Sequence, residues 1–311
     1  MKQLLFFLAL LPFINLSQNT AEPFLPELIK TFPNVRDIAI SPNGNEVMFT
    51  AQSVMGNLSA IVYTKKENDI WSSPEIASFS GQYFDLEPFY SHDGLKLYFI
   101  STRPLDDNSS EPKDHDIWFV ERKTLDSNWS QAINLGSPIN TVHSEFYPSI
   151  SENGNFYFTR DNPTLNRKDD IYVSKYINGK YTIPEVLPET INSDGYEYNA
   201  FIAPDESYLL YGCYVRKDGL GSGDIYISFK TENGWSKAKN LGNIINTPKF
   251  DYCPFVDINT NTLYFTSKKD NTVIKNQKPL TTKSFIEELH KYDNGSSRLY
   301  KISLSKILKK D

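Results

Sequence analysis

The 311-residue chain has only two cysteines, Cys213 and Cys253, and no CxxC or Cys/His zinc spacing. Neither a disulfide framework nor a structural zinc site can therefore organise it. In an oxidising compartment the two thiols could pair, and two buried free thiols are equally ordinary. There is no excess of positive charge, with 32 Lys+Arg against 38 Asp+Glu and a net charge of −6. Apart from the C-terminal "SKILKKD" no segment is dense in cations, which excludes an electrostatic nucleic-acid binder. No apolar run reaches the ~20 residues that a membrane-spanning helix needs. The longest, "LLFFLALLPFI" behind Met1-Lys2, has the length and position of a secretory signal. Residues 1–17 are accordingly expected to be a signal peptide and 18–311 one soluble, monomeric domain, periplasmic or secreted. A G-x-S-x-G nucleophile motif is also missing. "GLGSG" from Gly219 lacks the GK[ST] ending of a phosphate loop, and "DNPTLNRKDD" is too sparse for a calcium loop. No metal or cofactor is expected.

What the chain does have is aromatic side chains, 19 Tyr and 20 Phe, set in short apolar runs between Ser, Asn, Gly and Pro. This composition favours β-structure. One stretch recurs: "AISPNGNEVMFTA" from Ala39, "YSHDGLKLYFIST" from Tyr90, "ISENGNFYFTR" from Ile150, "IAPDESYLLYGC" from Ile202 and "VDINTNTLYFTS" from Val256. The turn positions Gly44, Gly94, Gly154, Glu206 and Thr260 lie 50, 60, 52 and 54 residues apart. Asn-Gly or Asp-Gly between alternating apolar residues predicts a hairpin with a two-residue turn; the fourth and fifth copies, lacking the Gly, need a different or longer one. A third strand follows each hairpin ("AIVYT", "DIWFVE", "DIYVSK", "DIYISFK", "RLYKIS"), and a fourth is clearest in "SNWSQAINLGSPIN" and "NGWSKAKNLGNIIN".

Four short antiparallel strands repeated at this period predict the blades of an all-β propeller, because one such sheet cannot cover both of its faces alone. The count gives five four-stranded blades, six if the long fifth unit hides another. That unit shows only three strands, and Glu22–Phe32 is placed to supply the fourth and close the ring. Glu87-Pro88, "SHDG", "LYFISTR" and "GLGSGDIYIS" resemble the WD40-like PD40 repeats of TolB-like propellers, common in exported bacterial proteins. The resemblance implies this fold; for function it implies a binding, scaffolding or occasionally catalytic unit.

Nine residues before each turn stand Val35, Asp85, Glu145, Glu197 and Asp251, four carboxylates in five blades. Asn140, Asn192 and Asn246 precede three of them at a fixed distance, and Arg103, Arg160, Arg216 and Lys268 follow the second strands. The simplest reading is a set of interblade salt bridges. Asymmetry is the better clue to function. Blade one has Val35, Arg36 and Asp37 where the others set Leu86, Phe146, Tyr198 and Tyr252 beside an acid. His143 lies two residues before Glu145, in reach of joint proton transfer. Residues 268–297 form an insertion in which "TTKSFIEELHKYDNG" predicts a short helix, with Ser284 and Glu287 at capping-box spacing, placed to act as a lid. The leading expectation is a non-enzymatic protein that binds a protein segment or glycan at the channel face. Phe146, Tyr198 and Tyr252 would exclude water there, and Asn140, Asn192, Asn246, Glu145, Glu197, Asp251, Arg103, Arg160 and Arg216 would orient the ligand. The alternative is a glycosidase or lyase using two of Asp85, Glu145, Glu197 and Asp251, with His143.

Overall fold

The computed structural model describes residues 20–106, 109, 111–161, 163, 169–273 and 278–308; the signal-peptide expectation falls outside them. Five antiparallel sheets stand in a ring, one per repeat, so the blade count is five. The inner strands, Asn34–Ile40, Asp85–Tyr90, Glu145–Ile150, Tyr196–Ile202 and Asp251–Asp257, line the central channel. The second strands are Glu46–Gln52, Lys96–Ser101, Phe156–Asp161, Tyr208–Tyr214 and Thr262–Ser267. The third are Ser59–Glu67, Asp116–Glu121, Asp169–Ser174, Gly223–Thr231 and Arg298–Ser303. Outer strands are two residues long: Glu75–Ile76, Ile133–Asn134, Glu185–Val186 and Lys239–Asn240.

The fifth outer strand comes from the other end of the chain, where Glu22 and Pro23 pair with Lys301 and Tyr300. Only these two residues of the predicted segment are strand; Pro26–Ile29 turns into a short helix whose Ile29 is fully buried. Phe24 packs its ring at 5.0 Å from Tyr264, pinning the closure to blade five. Similar edge contacts join other blades, Tyr98 to Phe156 and Phe201 to Phe255, each at 5.5 Å. Each buried ring contributes about 1.5–3 kcal/mol by leaving water, and this explains the aromatic excess. A chain lacking residues up to Pro23 should expose the Arg298–Ser303 edge. It is expected to melt several degrees lower and to self-associate, as sedimentation would show.

The hairpin loops are longer than predicted. Between Ile40 and Glu46 five residues intervene, with Gly44 N–H donating to Ser41 O and Gly44 at φ 71°. Glu206 occupies the same left-handed position at φ 58° without glycine, and in the fifth copy the left-handed residue moves on to Asn261. The insertion helix is Thr282–Leu289, capped by Thr281 with Ser284 closing the box, three residues earlier than predicted.

Candidate functional site

Each inner strand carries a bulge two residues beyond its repeat carboxylate or Val35. The ladder to the second strand slips there, and Asp37, Glu87, Tyr147, Asn199 and Cys253 adopt φ of 44°, 58°, 51°, 52° and 52°. Left-handed backbone in non-glycine residues needs support from its surroundings. Much of that support is interblade: Thr266, Thr50 and Thr159 Oγ1 accept from the N–H of Asp37, Glu87 and Asn199 in the next blade, at 3.0, 3.1 and 3.2 Å. Blade two has Ile100 at the threonine position, and Tyr147 N–H donates instead to Glu87 Oε2 at 2.7 Å.

The bulges gather these residues into one network, in which Asp37, Glu87 and Cys253 meet Arg36. Its Nε donates to Asp37 Oδ2 at 2.9 Å, and its Nη2 donates to Glu87 Oε1 at 2.5 Å and to Cys253 Sγ at 3.4 Å. Asn199 Nδ2 donates to Glu87 Oε1 at 3.0 Å, and the Cys253 thiol to Asn199 Oδ1 at 3.4 Å. Burial, opposed by Arg36 and reinforced by the charge of Asp37, holds Glu87 up at about 7. Burial likewise raises Asp37 and Cys253. Asp37, Glu87 and Cys253 bring ligand-type atoms within 4.8 Å of one another. The guanidinium already donates to all three, filling the role a metal cation would have there.

Above this network lies a cavity of about 250 Å³, bounded by Arg36, Glu87, Thr159, Asp169 and Asn199 and by the rings of Phe146, Tyr198, Phe250 and Tyr252. Tyr198 and Phe250 stack at 5.9 Å with 5° between planes, Phe250 meets Tyr252 edge-on at 4.8 Å, and the Arg36 guanidinium covers Tyr252 at 5.3 Å. Two glycines make room for the stack. A Cβ on Gly212 would sit 2.5 Å from the Tyr198 ring, and one on Gly223 would sit 2.6 Å from Phe250. Asp169 starts the third strand of blade three, next in the ladder to Asp161. Burial, then the charges of Asp161 and Asp170, raise it to about 6.

Of the residues expected to bind ligand, Phe146, Tyr198 and Tyr252 line this cavity. The others are placed in the scaffold. Asp85, Glu145, Glu197 and Asp251 are all fully buried. Asp85 accepts from Arg103 at 3.0 Å and Ser80 at 2.8 Å. Glu145 accepts from Arg160 at 2.9 Å and from Thr141 N and Oγ1 at 3.1 and 2.6 Å. Glu197 accepts from Ser193 and the Cys213 thiol, with Arg216 at 3.8 Å. Asp251 accepts from Thr247 N at 2.5 Å, Thr247 Oγ1 and Ser267, among the described residues without an ion pair to Lys268. The pairs to Arg103, Arg160 and Arg216 lie within single blades rather than between blades, because strand one begins where strand two of the same sheet ends. Burial raises Glu145 to about 7 and Asp251 to about 6, and Glu197 upward.

Asn140, Asn192 and Asn246 are buried too, and each brackets one third-strand residue. Their Oδ1 accepts from Ile117, Ile171 and Ile225 N–H, and their Nδ2 donates to the same residues' carbonyls, all at 2.8–3.0 Å. His143 is half-buried, and the described partners of Glu145 do not include it. Cys213 and Cys253 are free and buried. No residue of the insertion helix bounds the cavity, and none of its residues is buried. Glu87, Asn199, Asp169 and Phe250 also bound the cavity and are not among the ligand residues expected from the sequence pattern.

No protein-family model matches the chain, and no curated protein does. Solved structures do. An α-L-arabinofuranosidase from Lactobacillus brevis aligns over 85% of this chain and 89% of its own at TM-score 0.51 and 15% identity. TolB from Acinetobacter baumannii aligns over 76% of this chain at TM-score 0.47 and 14% identity, and this chain spans about half, 49%, of it. The β-propeller domain of the trilobed protease from Pyrococcus furiosus aligns over 75% and 77% at TM-score 0.42 and 13% identity. The architecture is that of a β-propeller. At such identities the likeness speaks for the fold alone. No helix among the described residues is long and apolar enough to cross a membrane.

Proposed function

We propose that this is an exported β-propeller that binds a segment of a partner protein at the channel face bearing the Arg36–Asp169 cavity, without catalysing a reaction. The observation that carries this is the rim. Loops of several blades that open on the same face present aliphatic side chains to solvent: Val54 and Met55 at 74% and 86% exposure, Leu105 at 63%, Val142 at 86% and Val215 at 68%. The insertion helix adds Phe285, Ile286 and Leu289, at half exposure. Contiguous exposed apolar surface marks interaction sites, and these side chains stand in loops that open on one face of the ring. Exposed aliphatic side chains in these loops suit a polypeptide partner. The hydrogen bonds that engage Asp85, Glu145 and Asp251 support a scaffold role for the repeated acids; Glu197 shares their place but keeps its buried Oε2 without a hydrogen-bond partner.

One observation favours the enzymatic reading: Glu87 and Asp169, at about 7 and about 6, bound one cavity, as an acid and base would. Against it, both Glu87 oxygens are engaged, by Arg36 and Asn199 and by the Tyr147 amide. A photo-crosslinking residue at Met55 or Val142 is expected to capture a discrete envelope protein, whereas the same residue at Ile258, on the opposite face, should not. Hydrolysis of aryl glycosides that disappears in Glu87→Gln would reverse the assignment.

A further inference from the structure

Resting on that reading, we infer that the cavity above Arg36 is a receptor for an alkylammonium group, supplied either by a lysine side chain of the bound segment or by a small free amine. Three features of the cavity converge on that chemistry. First, the walls are rings: Phe146, Tyr198, Phe250 and Tyr252 surround a space of about 250 Å³. That is below the ~300–1,000 Å³ of drug-sized pockets and is room for a single side chain. Aromatic walls attract a cation through the negative faces of the rings, by ~0.5–1 kcal/mol each when exposed and ~2 when dry.

Second, the charges do not balance. Among the described residues Arg36 is the one cation bounding the cavity; Glu87 and Asp169 bound it with Arg36, and Asp37 lies directly behind. The guanidinium is committed to Asp37 and Glu87, which leaves one carboxylate of the lining without a counter-charge among the described residues. Third, that carboxylate is Asp169, which has no hydrogen-bond or ion-pair partner among the described residues although it is more than half buried. A carboxylate in such surroundings calls for a donor carrying positive charge. A sugar hydroxyl would supply a hydrogen bond but no charge, and an anion would meet Asp169 and Glu87 head on.

The ammonium head would donate to Asp169 while its methylene stem lies between Phe146 and the Tyr198–Phe250 stack. Titration would follow. Burial and the charges of Asp161 and Asp170 from its own sheet act on Asp169; Arg36 and Glu87 face it across the cavity, and the half-buried His115 packs against the wall residue Phe146. Because Asp169 ionises at about 6, a bound cation competes with its proton, and affinity should fall about tenfold per pH unit below that value.

The test is calorimetric titration of the intact protein with Nα-acetyl-lysine N-methylamide, n-butylammonium chloride, the neutral isostere Nα-acetyl-norleucine N-methylamide, and methyl α-L-arabinofuranoside. Both ammonium probes should bind, with the isostere and the glycoside at least about tenfold weaker. Asp169→Asn, nearly isosteric and part-exposed, should lose about tenfold or more for the ammonium probes, and Phe250→Leu should weaken them independently. Glu152→Gln, at the opposite channel mouth, should change nothing. A lysine diamide that binds well above butylammonium identifies a polypeptide source, and equal binding a free amine.

The inference is overturned if neither ammonium probe binds, if norleucine or the glycoside binds as well, if Asp169→Asn is silent, or if affinity is flat between pH 5 and 8. Persisting crosslinks at Met55 would then leave the partner-protein reading standing. Ammonium binding without any such crosslink would sink that reading and keep this one.

Discussion

Replacing Arg36 by alanine is expected to cost the fold about 3–5 kcal/mol, the range seen when one partner of a buried charge cluster is removed. Asp37 and Glu87 are 1% and 3% exposed, and without the guanidinium both carboxylates would stay inside with no counter-charge. At roughly 2–3 °C per kcal/mol for a domain of this size, the melting temperature should drop by about 6–15 °C. Lysine at the same position should recover only part, because a single ammonium cannot reach Asp37, Glu87 and Cys253 at once as the planar fork does. The deficit should shrink in acid, since protonated carboxylates no longer need the cation. Thermal melts of Arg36→Ala at pH 5 and pH 8 check both parts. A loss below about 1 kcal/mol at pH 8 would mean that the backbone bulges, not the charge network, hold the channel together.

The intact protein should itself be less stable at pH 8 than at pH 5, by about 2 kcal/mol or more. Folding raises Glu87 and Glu145 to about 7 and Asp251 to about 6, in each case chiefly through burial. Between the ordinary carboxylate range near 4 and these values the folded state binds more protons than the unfolded chain. The slope of stability against pH is therefore negative there, at up to about 1.4 kcal/mol per unit for each group. Two effects run the other way. Asp93, Asp205 and Asp270 are lowered by local hydrogen bonds and act only below pH 4. His115, lowered by burial, offsets part of the slope near pH 6. Urea titrations from pH 5 to pH 8 should show the midpoint falling; a midpoint that rises through this interval would contradict the buried-acid arrangement.

The ring was legible because it is a repeat. Turn residues at Gly44, Gly94 and Gly154 and the "DIY"-type third strands set the period, and the missing fourth strand of the last unit pointed to the N-terminal segment. The wall residues Phe146, Tyr198 and Tyr252 were legible because blade one breaks, with Arg36, the pattern they share. Asn140 and Glu145, with their counterparts, were conspicuous for the opposite reason: what recurs in several blades is what every blade needs to hold its own edge. Glu87 and Asn199 were hidden by the bulge. Alternation along a strand assigns successive side chains to opposite faces, and one slipped residue reverses that assignment. The column seven residues before the turn, Asp37, Glu87, Tyr147, Asn199 and Cys253, holds five different residue types. That diversity was the available signal. Asp169 and Phe250 offered none, because what matters about them is which neighbours the closed ring brings near.

The clasp between Glu22–Pro23 and Tyr300–Lys301 also orders events in time. Of the described strands, Glu22–Pro23 is synthesised first, and its neighbour follows some 280 residues later. Until then blade five presents a bare three-stranded edge, open to the same short segment from another molecule. At high chain concentration, two copies exchanging their leading strands would satisfy every pairing that one copy makes alone.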